Sequence, residues 1–353
     1  MAACEHEEAK YRYDHKKSAH HEGEKCIATA AARICHGLLH TESYEQQNGS
    51  DAKEFLVLSW RKGTGRRHML KWTIGDVTVT RVVEFETAVP YSEEGTFLKE
   101  ATPETLRSKP WLYPNFVQED GSLNLSIHAL LVEAKGLKLV VDTCVGNDKP
   151  RGLTGGRPLH RPFLEHLAEA GFPRESVNAV VCTHLHVDHV GWNTMLENGK
   201  WVPTFPNARY LIGRQEYEFW IKDEDAEQKQ IMSDSVAPIF ESGLAQKVEM
   251  NHRISPEIRL MPTTGHTPGH VSVVIESKGE TAIITGDMMH HPSQIGHPEW
   301  SPAFDSDKEA ARVTRRAMLK DWADKPILII GTHFSAPTAG HIKRDGDSYK
   351  FVV

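Results

Sequence analysis

Residues 181–191 read VCTHLHVDHVG. Three histidines and an aspartate (His184, His186, Asp188 and His189) fall within six positions, directly behind the apolar run VNAVV at 177–181. A run of valines of this kind reads as a strand buried on both faces. Crowding titratable groups behind such a strand costs free energy unless something compensates them. A cation is the natural compensation, because imidazole and carboxylate are good ligands for zinc and similar metals. His184 and His186 lie two apart, so in an extended loop they can point the same way. Asp188 and His189 follow where the chain is expected to turn into a helix.

Three further apolar segments end in the same manner. EIRLMPTTG (257–265) leads to His266, TAIITG (281–286) to Asp287, and PILIIGT (326–332) to His333. Strand ends are where rigid scaffolds display functional groups. Four such ends meeting at one sheet edge would gather seven candidate ligands: His184, His186, Asp188, His189, His266, Asp287 and His333. Seven exceed the four or five that one zinc takes. They suit two cations roughly 3.5–4 Å apart that share a carboxylate and leave a position open for water. Zinc lowers the pKa of a water it holds to about 7, which provides a nucleophile without serine or cysteine. His128, His160, His166 and His297 stand alone and read as ordinary hydrogen-bonding residues.

Around these segments, strands and helices interleave. MLKWTIGDVTVTRVVEFE (69–86) alternates like one half-buried strand. HALLVEAKGLKLVVDTC reads as two strands turning at Lys135-Gly136, and VSVVIESKGETAIITGD as two more turning at Lys278-Gly279. RPFLEHLAEAGF has helical spacing and a stop at Gly171. RQEYEFWIKDEDAEQKQ and DKEAARVTRRAMLKDWA read as helices. The mixture predicts an α/β fold of layered sheets covered by helices. Residues 1–68 differ: they are polar and hold seven of the 21 histidines. They read as an N-terminal extension, native or an upstream-start artefact, followed by one domain over 69–353. Within the extension, AARICHGLLH could form a short helix and KEFLVLSW a short strand.

Composition narrows the function. The 353 residues are 39% hydrophobic and 25% charged, with a net charge of −7. That balance gives no reason to expect nucleic acid or an anionic membrane as partner. Five scattered cysteines argue against a disulfide framework. With neither an apolar leader nor a spanning segment evident, the expectation is a cytoplasmic protein.

The motifs resemble those of the metallo-β-lactamase superfamily. THLHVDHVG resembles its H-x-H-x-D-H signature, VVDTC (140–144) its early aspartate motif, and GHTPGH (265–270) its next histidine motif. TGD (285–287) resembles its bridging aspartate and GTHF (331–334) its final histidine. The resemblance implies an αβ/βα four-layer sandwich with the site at one edge of two packed sheets. It implies His184, His186 and His266 on a first metal, Asp188, His189 and His333 on a second, and Asp287 between them. Two Zn2+ per chain are the implied cofactors, with Mn2+, Co2+ or Fe2+ as alternatives. Asp142 is implied to hold the site's loops, and His270 to pack behind it.

The layout most resembles the lactonase and methyl-parathion-hydrolase-like branch. It implies a dinuclear zinc hydrolase whose metal-bridging hydroxide cleaves a small lactone, carboxylic ester or phosphotriester, with Asp188 orienting the nucleophile. β-Lactamase or thioesterase activity on the same site, or a mononuclear iron oxygenase of the same fold, are the alternatives. Many quorum-quenching lactonases carry a tyrosine three positions after the bridging aspartate. Here GDMMHHP (286–292) places His290 there, a candidate catalytic proton donor. Trp192, Met288, Met289 and Phe334 neighbour ligands in sequence and could form an apolar wall or core. The expected partner is a small-molecule substrate, and a homodimer is left open.

Overall fold

The computed structural model describes residues 69–93 and 97–353. The helix and strand read within AARICHGLLH and KEFLVLSW lie outside the described residues. The strands in chain order are β1 (Lys71–Ile74), β2 (Val77–Val89), β3 (Leu123–Ala134), β4 (Leu137–Val141), β5 (Ala179–Val181), β6 (Thr194–Glu197), β7 (Lys200–Pro203), β8 (Arg209–Gly213), β9 (Ala245–Val248), β10 (Ile258–Pro262), β11 (Val271–Ser277), β12 (Glu280–Ile284), β13 (Ile327–Ile330), β14 (Ala339–Asp345) and β15 (Ser348–Val352). The helices are α1 (Pro103–Arg107), α2 (Phe163–Glu169), α3 (Arg214–Trp220), α4 (Ala226–Ile231), α5 (Ala237–Glu241), α6 (Ser293–Gly296) and α7 (Lys308–Trp322).

Successive strand side chains point to opposite faces, and that alternation builds the layers. Leu139, Val141 and Val181 of one sheet meet Val273, Ile275, Ala282 and Ile284 of another in a shared core. The intervening Val140 and Val180 face the other way, against Phe163 and Leu167 of α2 and Ile239 of α5. Val274, Ile283 and Ile329 likewise turn outward, onto Leu319 and Trp322 of α7. The outcome is the expected four-layer αβ/βα sandwich. One sheet runs β1-β2-β3-β4-β5-β8-β9 and the second β10-β11-β12-β13-β14-β15, while β6 and β7 form a separate hairpin. β4, β5 and β8 are parallel, as are β12 and β13. Through two antiparallel pairings β10 runs the same way as β12. β10, β12 and β13, which precede three of the candidate ligands, therefore end on one side of their sheet, and β5 ends on the same side as β4 and β8 in its own. Among the described residues no helix is long and apolar enough to cross a membrane.

Three expectations change. The stretch 69–86 is a hairpin, not one strand: β1 and β2 pair across Gly75-Asp76. Gly75 takes a φ of +55°, and a Cβ there would sit 2.5 Å from the Ser277 carbonyl oxygen. The helix read over 214–230 breaks after Trp220, and Asp225 starts a new one by accepting from the amides of Glu227 and Gln228. No regular helix follows Asp188. The chain makes a turn and one short 3-10 turn, Gly191–Asn193. The Gly191 and Trp192 amides donate to the Cys144 and Thr143 carbonyls instead of continuing a helix.

A bulge in β2, between Val83 and Phe85 of the β2–β3 register, releases Glu84 from strand pairing. Its buried carboxylate accepts from the amides of Val145 (2.9 Å) and Gly146 (3.0 Å) and from Trp192 Nε1 (2.7 Å). Glu84 thus ties the loop after β4 to the loop after β5. Burial pushes its carboxyl up to about 7, against the pull of these donors.

Candidate metal centre

Each predicted ligand arrives at the common strand edge from its own connection. The loop after β5 delivers His184, His186, Asp188 and His189; the connection after β10 delivers His266; the 3-10 turn after β12 delivers Asp287; and the loop after β13 delivers His333. The structure brings all seven together. His266 Nε2 lies 3.2 Å from His184 Nε2 and 2.9 Å from His186 Nδ1, and those last two are 3.0 Å apart. Beside them, His189 Nε2 and His333 Nε2 lie 3.2 Å apart. Asp188 Oδ1 is 3.5 Å from His189 Nε2, and its Oδ2 is 3.6 Å from His333 Nε2. Asp287 stands between the two groups. Its Oδ2 is 3.5 Å from His266 Nε2 and 3.3 Å from His189 Nε2, and its Oδ1 is 3.0 Å from His333 Nε2. His184, His186, His266 and Asp287 form one set whose ligand atoms lie within 4.8 Å of one another; Asp188, His189 and His333 form another.

Groups behind the ligands decide which nitrogen faces inward. His266 Nδ1 is 2.8 Å from Asp305 Oδ1, and His189 Nδ1 is 3.0 Å from Asp142 Oδ2. His333 Nδ1 donates to the Ser126 carbonyl. Thr183 gives its hydroxyl to Asp142, so it can accept from His184 Nδ1 at 3.1 Å. With the Nδ1 atoms of His184 and His266 holding protons for their partners, the facing Nε2 atoms of these two carry lone pairs. Lone pairs about 3 Å apart in a dry site repel unless a cation sits among them. Burial, together with the surrounding imidazoles, pushes His184, His186 and His266 well below the usual histidine range, so they stay neutral donors. Burial opposes charge on His189 as well, but Asp287, Asp142 and Asp188 outweigh it and raise that group. Burial would raise Asp287; the histidines around it hold its carboxyl well below the usual range. The donor set therefore fits a pair of cations by its own chemistry.

His290 also reaches the centre. Its ring is buried, its Nε2 lies 3.2 Å from Asp287 Oδ2, and neither ring nitrogen has an aligned hydrogen bond. Phe304 flanks it at 5.1 Å between ring centroids. His270 packs behind: its Nε2 accepts from the Asp287 amide at 2.8 Å, and burial lowers it to about 4. His128 contacts Ser126 and His297 stacks on Trp300, and neither belongs to a ligand set. Exposed His160 lies 3.4 Å from Asp148. Trp192, Met288, Met289 and Phe334 are core, not wall.

Asp305 and Glu216 escaped the sequence reading. Glu216, on α3, is fully buried and accepts from the Leu185 amide (3.1 Å), Trp220 Nε1 (2.5 Å), Thr267 Oγ1 (2.7 Å) and the Gly269 amide (3.0 Å). It clamps the loop bearing His184 and His186 to the one bearing His266. A Cβ on Gly269 would lie 2.3 Å from the Glu216 nitrogen, so only glycine allows that approach.

The model of the metallo-beta-lactamase superfamily matches residues 124–333, more than half of the chain and every candidate ligand described above. The chain belongs to the metallo-beta-lactamase superfamily. An N-acyl homoserine lactonase of Bacillus sp is 26% identical over 227 residues, covering 59% of this chain and 82% of the relative. Two solved structures share the fold. One is AidC, described as a dizinc quorum-quenching lactonase in complex with a product, with a TM-score of 0.67 and 21% identity over 80% of this chain and 96% of that one. The other is AbOPH, a hydrolase in the beta lactamase superfamily, with a TM-score of 0.66 and 24% identity over the same shares. This chain is a metal-dependent hydrolase of the metallo-beta-lactamase superfamily.

Proposed function

We propose that the protein is a dinuclear zinc hydrolase acting on a small ester-like substrate, a lactone or carboxylic ester first. The observation that carries this reading is the double donor set: two groups of inward-facing ligand atoms, with Asp287 within 3.5 Å of His266, His189 and His333. His184, His186 and His266 would hold one cation, Asp188, His189 and His333 the other, with Asp287 between. Such a pair, when bound, supplies a water of lowered pKa and a Lewis acid for a carbonyl oxygen.

The remaining steps fall to the chain's own residues. Asp188 is the most open of the carboxylates, its side chain 16% exposed against 4% for Asp287, and it orients the attacking water. His290, poised beside Asp287 with its ring nitrogens uncommitted, delivers a proton to the departing alkoxide. The half-buried ring of Phe304, 5.1 Å from that of His290 between centroids, narrows the access of bulk water to that proton path. A cleft of about 300 Å³ is lined by Tyr217, Trp220, Ile221 and Met232 together with Asp223, Lys229, Ser233 and Ala237. The Trp220 ring stands 5.2 Å from that of His186. The cleft gives the apolar part of a substrate a place next to the reacting bond. The similarity to an N-acyl homoserine lactonase supports trying such lactones.

The test is a panel of lactones, esters, thioesters, β-lactams and phosphotriesters on metal-replete protein, with metal analysis alongside. Two zinc per chain with lactone or ester turnover is expected. His266→Ala and Asp287→Ala should each lose metal and turnover. One iron per chain with oxygen consumption, or full metal and full rates in both variants, would overturn the reading.

A further inference from the structure

The two ligand sets share one feature that neither shares with the other's residues: each contains a single imidazole with a carboxylate directly behind it. In the set of Asp188, His189 and His333, that imidazole is His189, backed by Asp142 at 3.0 Å. In the set of His184, His186, His266 and Asp287 it is His266, backed by Asp305 at 2.8 Å. His184 has only the Thr183 hydroxyl behind it, and His333 only the Ser126 carbonyl.

Asp305 is built into its place. It is buried, and its second oxygen lies 3.7 Å from Arg315 Nη2. Arg315 is itself fully buried on α7, its Nε donating to the Met288 carbonyl and its Nη1 to those of Pro298 and Trp300. One guanidinium thus joins Asp305 to the segment that begins at Asp287. Two backbone bonds stitch the same stretch to the His266 loop: the Ser306 amide donates to the His266 carbonyl, and that of Asp307 to Gly265. Gly265 presses so closely on the start of α7 that a Cβ would lie 2.2 Å from the Ala311 nitrogen. The loop cannot move without the aspartate.

We propose that Asp305 is a positioning residue that sets metal affinity at one position of the pair, the one served by His184, His186 and His266. This rests on the dinuclear reading above. A carboxylate behind an imidazole fixes its tautomer and raises its basicity as a ligand, and its loss typically costs 10–100-fold in metal affinity. The effect is local to His266, so Asp305 governs the cation that His266 would serve, whereas Asp142 stands behind both His189 and, through Thr183, His184.

The test titrates metal-free full-length protein with Zn2+ against a chromophoric chelator, and with Co2+ followed by visible absorption. Asp305→Asn keeps the shape and an oxygen that can accept from Nδ1, but removes the charge; Asp305→Ala removes both. In Asp305→Asn one of two ions should bind about 10–100-fold more weakly while the other keeps its wild-type affinity and Co2+ spectrum. Asp305→Ala should lose more at that same position. Wild-type protein that takes fewer than two ions refutes the dinuclear reading itself. Wild-type protein with two ions beside an Asp305→Asn variant that keeps both affinities, or loses both equally, overturns the assignment of Asp305 alone. One arm needs no variant: long-range proton–nitrogen spectra of the metal-free wild type should show His266 protonated at Nδ1, and protonation at Nε2 overturns the proposal.

Discussion

Glu84 offers a stability measurement whose size can be worked in advance. In the unfolded chain its carboxyl titrates near 4.5; in the native protein burial raises it to about 7. That difference corresponds to roughly 3 kcal/mol at about 1.4 kcal/mol per pH unit. Below 4.5 both states hold the proton and the group has no effect. Between 4.5 and 7 the unfolded chain releases its proton while the native state keeps it, so stability falls as pH rises. Above 7 the whole loss is present. Glu84→Gln cannot ionise and escapes it. The glutamine oxygen can serve Gly146 and Trp192, which both donate to Oε1. Its amide nitrogen then meets the Val145 N–H, a conflict of about 1–3 kcal/mol at every pH. The variant should therefore be the less stable protein near pH 4.5 and gain about 3 kcal/mol on the wild type by pH 8. Urea unfolding of both proteins in chelator, at intervals across that range, measures the difference directly. A difference that stays constant within about 0.5 kcal/mol would show that Glu84 is ionised throughout, and the burial argument would fail.

Two further outcomes follow from the same geometry. His290→Ala should leave metal content intact and lower kcat by about 10² or more on alkyl esters or lactones, whose alkoxide needs a proton. It should cost far less on p-nitrophenyl esters, and equal losses on both would remove His290 from the proton path. Gly191→Ala puts a Cβ 1.8 Å from the Val145 carbonyl oxygen. It should destabilise the metal-free protein by about 2–4 kcal/mol in urea unfolding, and a wild-type midpoint would mean that the loops separate easily.

The ligands were legible because each follows a strand, where apolar patterning stops abruptly and a polar side chain stands out. The layered fold was legible for the same reason. Other features left weaker marks. The turn at Gly75-Asp76 is short, and its marks are slight: the glycine and a shift of the apolar positions from Leu70, Trp72 and Ile74 to Val77 and Val79. The break after Trp220 was signalled by Asp225, which caps the next helix, but helical periodicity on both sides masked it. No local pattern marks Asp305 or Glu216. Asp305 meets His266 across 39 positions and Glu216 meets Gly269 across 53, so their partners exist only once the sheets have packed. The turn at Asp188 is set by hydrogen bonds to residues 143 and 144, equally remote in the chain.

The ligands are divided between sheets: His184, His186, Asp188 and His189 hang from the first, His266, Asp287 and His333 from the second. During synthesis the first four emerge well before the strand that carries the last. A nascent chain can offer a passing ion only a partial claw, open on one side. The full set of candidate ligands is assembled only where β10, β12 and β13 of the second sheet lie packed against the first, so the site is whole only in the packed protein.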